Sequence, residues 1–199
     1  LNNTPIENYS VIKVEHGDIL SYGRLENGFR SYLAVKGGFK GEEVLGSFSQ
    51  YVPVTVSKRI KDGEEIEFDS VVHYEPVISN LKMENHFSGS NIEVFKGPEF
   101  DMLNDTQLKV LFTKDFTVSE KNNRMAYQLT EKIEGYSKTL LTSGTLPGTV
   151  QLTPAGRLII LMKDGQTTGG YPRILQLSEA SISNLAQKKF GDGITFRLI

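Results

Sequence analysis

The sequence predicts a mainly β protein whose sheets close into a barrel or pack as a sandwich. Three observations carry this. Short runs rich in β-branched and aromatic residues recur along the chain. Turn signals built on 19 glycines separate them. Helical spacing shows in only two stretches. Sheets of this kind need their edges hidden, which closure or face-to-face packing achieves.

In chain order the predicted strands are "YSVIKV", "RSYLAVKG", "VPVTV", "EIEFDSVVHY", "NIEVFKG", "GTVQLT", "RLIILM", "RILQLS" and "ITFRLI". "HGD", "ENG", "KGGFKG", "KDGEE", "EKIEG", "TPAG", "KDG" and "FGDG" mark the turns between them. One predicted helix is "SEASISNLAQKKFG": Ser178 caps it and Glu179 suits its first turn. Ile182, Leu185, Ala186 and Phe190 form its apolar face, and Gly191 ends it. The other is "NDTQLKVLF", capped by Asn104 or Asp105 and carrying Leu108 and Leu111. The polar patch at residues 79–91 divides the chain into two expected β lobes, 1–85 and 92–199, or forms one long loop of a single domain.

Composition narrows the function classes. The chain has 199 residues, 38% of them hydrophobic, and a formal net charge of −2. That near-neutral balance argues against a nucleic-acid or anionic-membrane partner held mainly by charge. No apolar run reaches the length of a transmembrane helix. No secretory leader shows in "LNNTPIENYS", so the cytoplasm is the default location. With no cysteine, disulfides, a cysteine nucleophile and thiolate metal sites are excluded. His16, His73 and His86 stand apart from one another and from paired carboxylates. They read as structural or solvated, and no metal site is expected.

The stretch with most chemistry is "LMKDGQTTGGYPR", residues 161–173. An apolar strand runs into Asp164, Gln166, Thr167, Thr168, Gly169, Gly170, Tyr171 and Arg173. Glycine-rich backbone beside a strand can present N–H groups to an anion or oxyanion. The hydroxyls and amide add donors and acceptors, Asp164 an acceptor or base, and Arg173 a two-point partner for a carboxylate. A long β-turn satisfied by its own side chains explains the same residues equally well. In "NNRMAYQL", Asn123 and Arg124 precede an alternating strand. Arg124 would meet an anion at a sheet end or sit in a structural pair. "VLGSFSQ" lacks the second glycine of a nucleophile elbow.

Taken in order, "RSYLAVKGG…VLGS", "VFKGPEFD", "NNRMAYQL", "SGTLPGTVQLTPAGRLIILMKDGQTTGGYPRI" and "LAQKKFGDGITF" are more specific than any one segment. Together they resemble the allophanate hydrolase subunit 2, or biotin-dependent carboxyltransferase, family. That family includes the C subunit of bacterial 5-oxoprolinase, the kinase-inhibitor antagonist KipA and the carboxyltransferase region of urea carboxylase. "QTTGGYP" is its most diagnostic piece. The resemblance implies a cyclophilin-like closed β-barrel and a further N-terminal segment in relatives, so the chain reads as a fragment. It departs from the family pattern at Asn122, Ala126, Gln128, Ser143 and Gln50.

The resemblance also implies a function: a subunit of a multi-subunit enzyme acting on small amides or lactams. ATP-dependent opening of 5-oxoproline to glutamate ranks first. Carboxyl transfer from carboxybiotin on another chain, and a non-catalytic KipA-like regulator that binds a histidine-kinase inhibitor, are the alternatives. No cofactor is expected on this chain alone, with ATP or carboxybiotin supplied through partner subunits. An allophanate hydrolase subunit 1-like chain, further oxoprolinase or carboxylase subunits and a homo-oligomer are the expected associations. Asp164 and Arg124 are the catalytic candidates. Asn123, Gln166, Thr167, Thr168, Gly169, Gly170, Tyr171, Arg173, Arg30 and Tyr32 are the substrate-binding ones.

Overall fold

A computed structural model describes residues 1–57, 59–71, 89–135 and 140–199. Its contacts divide the chain into two units. The first comprises Leu1–Ile19 and Ser31–Lys82, the second Leu20–Arg30 and Met83–Ile199. The expected boundary patch, His73 and His86 fall largely or wholly outside the described residues.

Among its described residues the second unit holds seven long strands and one short ribbon. The long strands are β1 (Asn91–Lys96), β2 (Phe116–Asn122), β3 (Ala126–Lys132), β5 (Thr149–Leu152), β6 (Arg157–Leu161), β8 (Arg173–Leu177) and β9 (Gly193–Leu198). They close into a barrel in the order β1-β8-β5-β6-β3-β2-β9. The ribbon, β4 (Ser143–Gly144) with β7 (Thr168–Gly169), is separate from the barrel sheet. All barrel pairings are antiparallel except β1 with β9, where Asn91 aligns with Thr195 and Val94 with Leu198. That parallel pair joins the first strand to the last and removes the open edge.

Alternation explains the barrel interior. Ile92 and Val94, Phe116 and Val118, Tyr127 and Leu129, Val150 and Leu152, and Leu158 and Ile160 are all fully buried. Burying each such side chain is worth roughly 1.5–3 kcal/mol. The Phe116 and Phe196 rings meet at 5.5 Å between centroids. On β5 the two remaining residues, Thr149 and Gln151, are buried as well.

Strand β8 carries a register break. Val150 aligns with Leu175, but Gln151 aligns with Arg173, so Ile174 is the extra residue. A bulge of this kind re-aims its neighbours, and it sets Arg173 beside Gln151.

Both predicted helices form. Helix α1 (Asp105–Thr113) starts at Asn104, whose side chain accepts from the Gln107 N–H while the Gln107 side chain accepts from the Asn104 N–H. Helix α2 (Glu179–Ala186) is capped by Ser178 and buries Ile182 and Leu185. It stops short of the expected end, so Phe190 lies outside it and is 58% exposed. No described helix is long and apolar enough to cross a membrane.

The five predicted strands from "NIEVFKG" onward are present. Of the four before it, none forms a strand among the described residues up to 71, where there are only isolated bridges, Phe39 with Phe68 and Val44 with Ser47; residues 72–74 of "EIEFDSVVHY" lie outside the described residues. A cis peptide bond joins Val52 to Pro53.

Candidate functional site

The corner after Met162 and the Asn123–Arg124 turn come together. The turn between β2 and β3 is fixed locally: Asn123 Oδ1 accepts from the N–H of Met125 (2.8 Å) and of Ala126 (3.0 Å). Asn and Asp favour turns through this kind of bond. The turn is then stitched to the exit of β6, because Met162 N–H donates to Met125 O (2.9 Å) and Asp164 N–H to Arg124 O (3.0 Å). Gly165 permits the approach, since a Cβ there would lie 3.0 Å from Met125 O.

This frame sets the Arg124 Nε 2.8 Å from Asp164 Oδ2, with side chains 68% and 41% exposed. An exposed pair contributes only about 0–1 kcal/mol to stability. The pair engages one edge of the guanidinium, and most of the Arg124 side chain stays open to solvent. The geometry therefore presents a guanidinium oriented through Nε and available through its other edge, the form suited to a carboxylate.

Residues 166–171 continue from this corner along the ribbon. Thr145 Oγ1 donates to Gln166 O (2.6 Å), Thr145 N–H to Thr167 O (2.8 Å) and Leu140 N–H to Gly170 O (3.3 Å). Gly144 aligns with Thr168 and Ser143 with Gly169. The loop is thus held by its backbone carbonyls. Gln166, Thr167, Thr168 and Tyr171 remain exposed. The threonines do not tie off their own turn.

Arg173 differs from its expected role as an open carboxylate holder. Its Nε and terminal nitrogen grip Glu99 in a fork, at 2.9 Å to Oε2 and 2.7 Å to Oε1. Its backbone N–H donates to Glu99 Oε2 (2.8 Å), and its other terminal nitrogen to Gly144 O (2.7 Å). Arg173 is a clamp between barrel and ribbon. The hydrogen bonds from Arg173 hold the Glu99 carboxyl below its ordinary value of 4.5. The folded pKa is depressed, so this stabilisation is present above about pH 4.5 and is lost as pH falls through the folded value. Wild type is expected to lose thermal stability over that acid window, and Glu99→Gln to flatten the loss; melting curves from pH 7 to 3 check this.

Arg30 is likewise engaged. One terminal nitrogen donates to the hydroxyl of buried Tyr127 (2.7 Å) and also to Ala186 O. The N–H groups of Phe29 and Arg30 both donate to Gln187 Oε1 at 2.9 Å. These bonds strap Phe29 and Arg30 to the end of α2 within the second unit. Tyr32 belongs to the first unit and is 83% exposed. Sequence reading missed Glu99, Tyr127 and Gln187, whose roles depend on partners far away in the chain. Among the described residues no three His, Asp or Glu side chains cluster to hold a metal.

The fold is that of a carboxyltransferase barrel. The crystal structure of Kluyveromyces lactis urea amidolyase superposes with a TM-score of 0.73 at 21% identity, over 93% of this chain and 13% of that one. The chain belongs to the carboxyltransferase domain family, subdomains A and B, whose model matches residues 1–198. It is 33% identical over 191 residues to the C subunit of 5-oxoprolinase from Escherichia coli K12, covering 93% of this chain and 61% of that protein. It is 26% identical to the urea amidolyase of Lachancea kluyveri over 98% of this chain and 12% of that much longer protein. The chain therefore spans less than two thirds of the length of these relatives.

Proposed function

We propose that this chain acts in the cytoplasm as a subunit of a multi-subunit enzyme on small amide or lactam substrates. The reaction that fits best is ring opening of 5-oxoproline to glutamate, with ATP hydrolysed through partner subunits. The observation that carries the reading is the 33% identity over 191 residues to a 5-oxoprolinase component. In this reading the free edge of Arg124 receives the substrate carboxylate. Asp164 holds the guanidinium through Nε, and Gln166, Thr167, Thr168 and Tyr171 line the adjoining surface.

A second reading, carboxyl transfer from carboxybiotin carried on another chain, is favoured by the match to the carboxyltransferase domain family and by the urea amidolyase fold. The test is to combine the full-length protein with the products of its neighbouring genes and measure 5-oxoproline-dependent ATP hydrolysis. Release of glutamate and phosphate in equal amounts supports the first reading. Biotin-dependent carboxylation of urea without lactam hydrolysis replaces it with the second. Activity in neither assay favours a KipA-like binding role.

A further inference from the structure

The outer face of the barrel wall beneath the ribbon holds a polar group that the site described above does not use. Gln151 on β5 is 1% exposed, and its Nε2 has no hydrogen-bond partner among the described residues. A buried amide donor without an acceptor is costly, so native interiors rarely keep one without a reason. This one faces the ribbon: a Cβ added to Gly169 would lie 2.5 Å from Nε2 and 3.5 Å from Thr145 Cγ2. The absence of a side chain at position 169 is what leaves room for the amide.

The bulge in β8 sets Arg173 next to Gln151 across the strands. Two donors on the barrel wall thus face the two strands of the ribbon. The Arg173 donor is capped by Gly144 O, whereas the Gln151 donor meets Gly169 and finds no acceptor. The ribbon itself is slight. Its ladder pairs two residues on each side, extended by the Thr145–Thr167 and Leu140–Gly170 bonds within the ribbon, and Gly144, Gly169 and Gly170 give it little bulk.

We propose that the β4–β7 ribbon is a flap over a ligand site on the outer face of β5 and β8, in which Gln151 Nε2 donates to a carbonyl or carboxylate oxygen of a small amide-type ligand. Lifting the ribbon frees the Arg173 nitrogen from Gly144 O beside it, giving a neutral and a cationic donor for one ligand oxygen pair. The choice of probe ligand rests on the 5-oxoproline reading; the site rests on the geometry.

The test uses the full-length protein in its complex and Gln151→Met, which keeps the side-chain volume and removes the donor. The expected result is unchanged or higher thermal stability, since a buried orphan donor is gone, together with roughly tenfold weaker 5-oxoproline binding at this second site by calorimetry, the Arg124 site being unaffected. In wild type, the Gln151 side-chain amide resonance should shift on adding 5-oxoproline, a readout that needs no variant to fold. Equal binding by wild type and Gln151→Met, with an unmoved amide resonance, overturns the site and leaves the 5-oxoproline reading standing. If wild type does not bind 5-oxoproline, that reading fails, and glutamate, urea and acetate are titrated in turn. Gln151-dependent binding of one of them keeps the site; none overturns it.

Discussion

Arg124→Ala is expected to lower 5-oxoproline-dependent ATP hydrolysis of the complete assembly by about a hundredfold or more, the scale on which removal of a single preorganised donor is felt. Its thermal midpoint should fall by no more than about 4 °C, because an exposed ion pair contributes at most about 1 kcal/mol to a chain of this size. The partner then separates two roles for Asp164. As a group that positions Arg124, it needs only an oxygen to accept from Nε, which Asp164→Asn retains. That variant should keep activity within about tenfold, whereas Asp164→Ala should fall further. As a general base, Asp164 would need its charge, and the Asn and Ala variants would be equally inactive. Arg124→Lys keeps a charge but loses the fork, so intermediate activity is expected. Activity of Arg124→Ala within about threefold of wild type would remove Arg124 from the machinery, since even ~1 kcal/mol exceeds that ratio.

How much of this was legible in the sequence depended on the range of the forces involved. "ITFRL" carries its burial in the alternation of Ile194 and Phe196 and "RLIIL" in an unbroken apolar run, and β9 and β6 form where those patterns lie. Asn104 and Gln107 cap a helix three residues apart, so α1 announces its start. "YSVIKV" and "VPVTV" show the same alternation but form no described strand, and Val56 there is 101% exposed. Period-two patterning permits a strand, but only a paired ladder makes one. The ribbon strands Ser143–Gly144 and Thr168–Gly169 are too short and polar to show any pattern. At the site, the turn chemistry of Asn123 was readable, but the fate of each arginine was not. Arg124 finds Asp164 at the surface and stays half available, while Arg173 finds Glu99, 74 residues back in the chain, and gives it the Nε edge of its fork. Residue type alone cannot distinguish those outcomes.

Gly97→Ala should be among the most damaging single substitutions in the barrel. Gly97 is where β1 leaves β8, and its N–H donates to Ile174 O at 3.0 Å. A Cβ there would lie 2.1 Å from Arg173 O and 2.8 Å from the Ile174 carbonyl carbon. Those are backbone atoms of a hydrogen-bonded strand, so no side-chain rotation relieves the clash. The chain must move instead, and it carries two further bonds with it. Glu99 N–H donates to the same Arg173 O at 3.2 Å, and the Glu99 carboxylate grips the Arg173 side chain. The expected cost is about 3 kcal/mol or more, at or above the upper end of ordinary overpacking. For a chain of this length that lowers the melting midpoint by roughly 6–12 °C. The acid-dependent loss of stability traced to Glu99 should flatten in the same variant, because the clamp that depresses its pKa would be misaligned. Gly193→Ala is the control: it also sits in a barrel strand, but a Cβ there meets nothing within 4 Å, so its midpoint should hold or rise slightly. A Gly97→Ala protein melting within about 2 °C of wild type, with its acid slope intact, would show that the barrel seam yields without cost and that Glu99 does not depend on it.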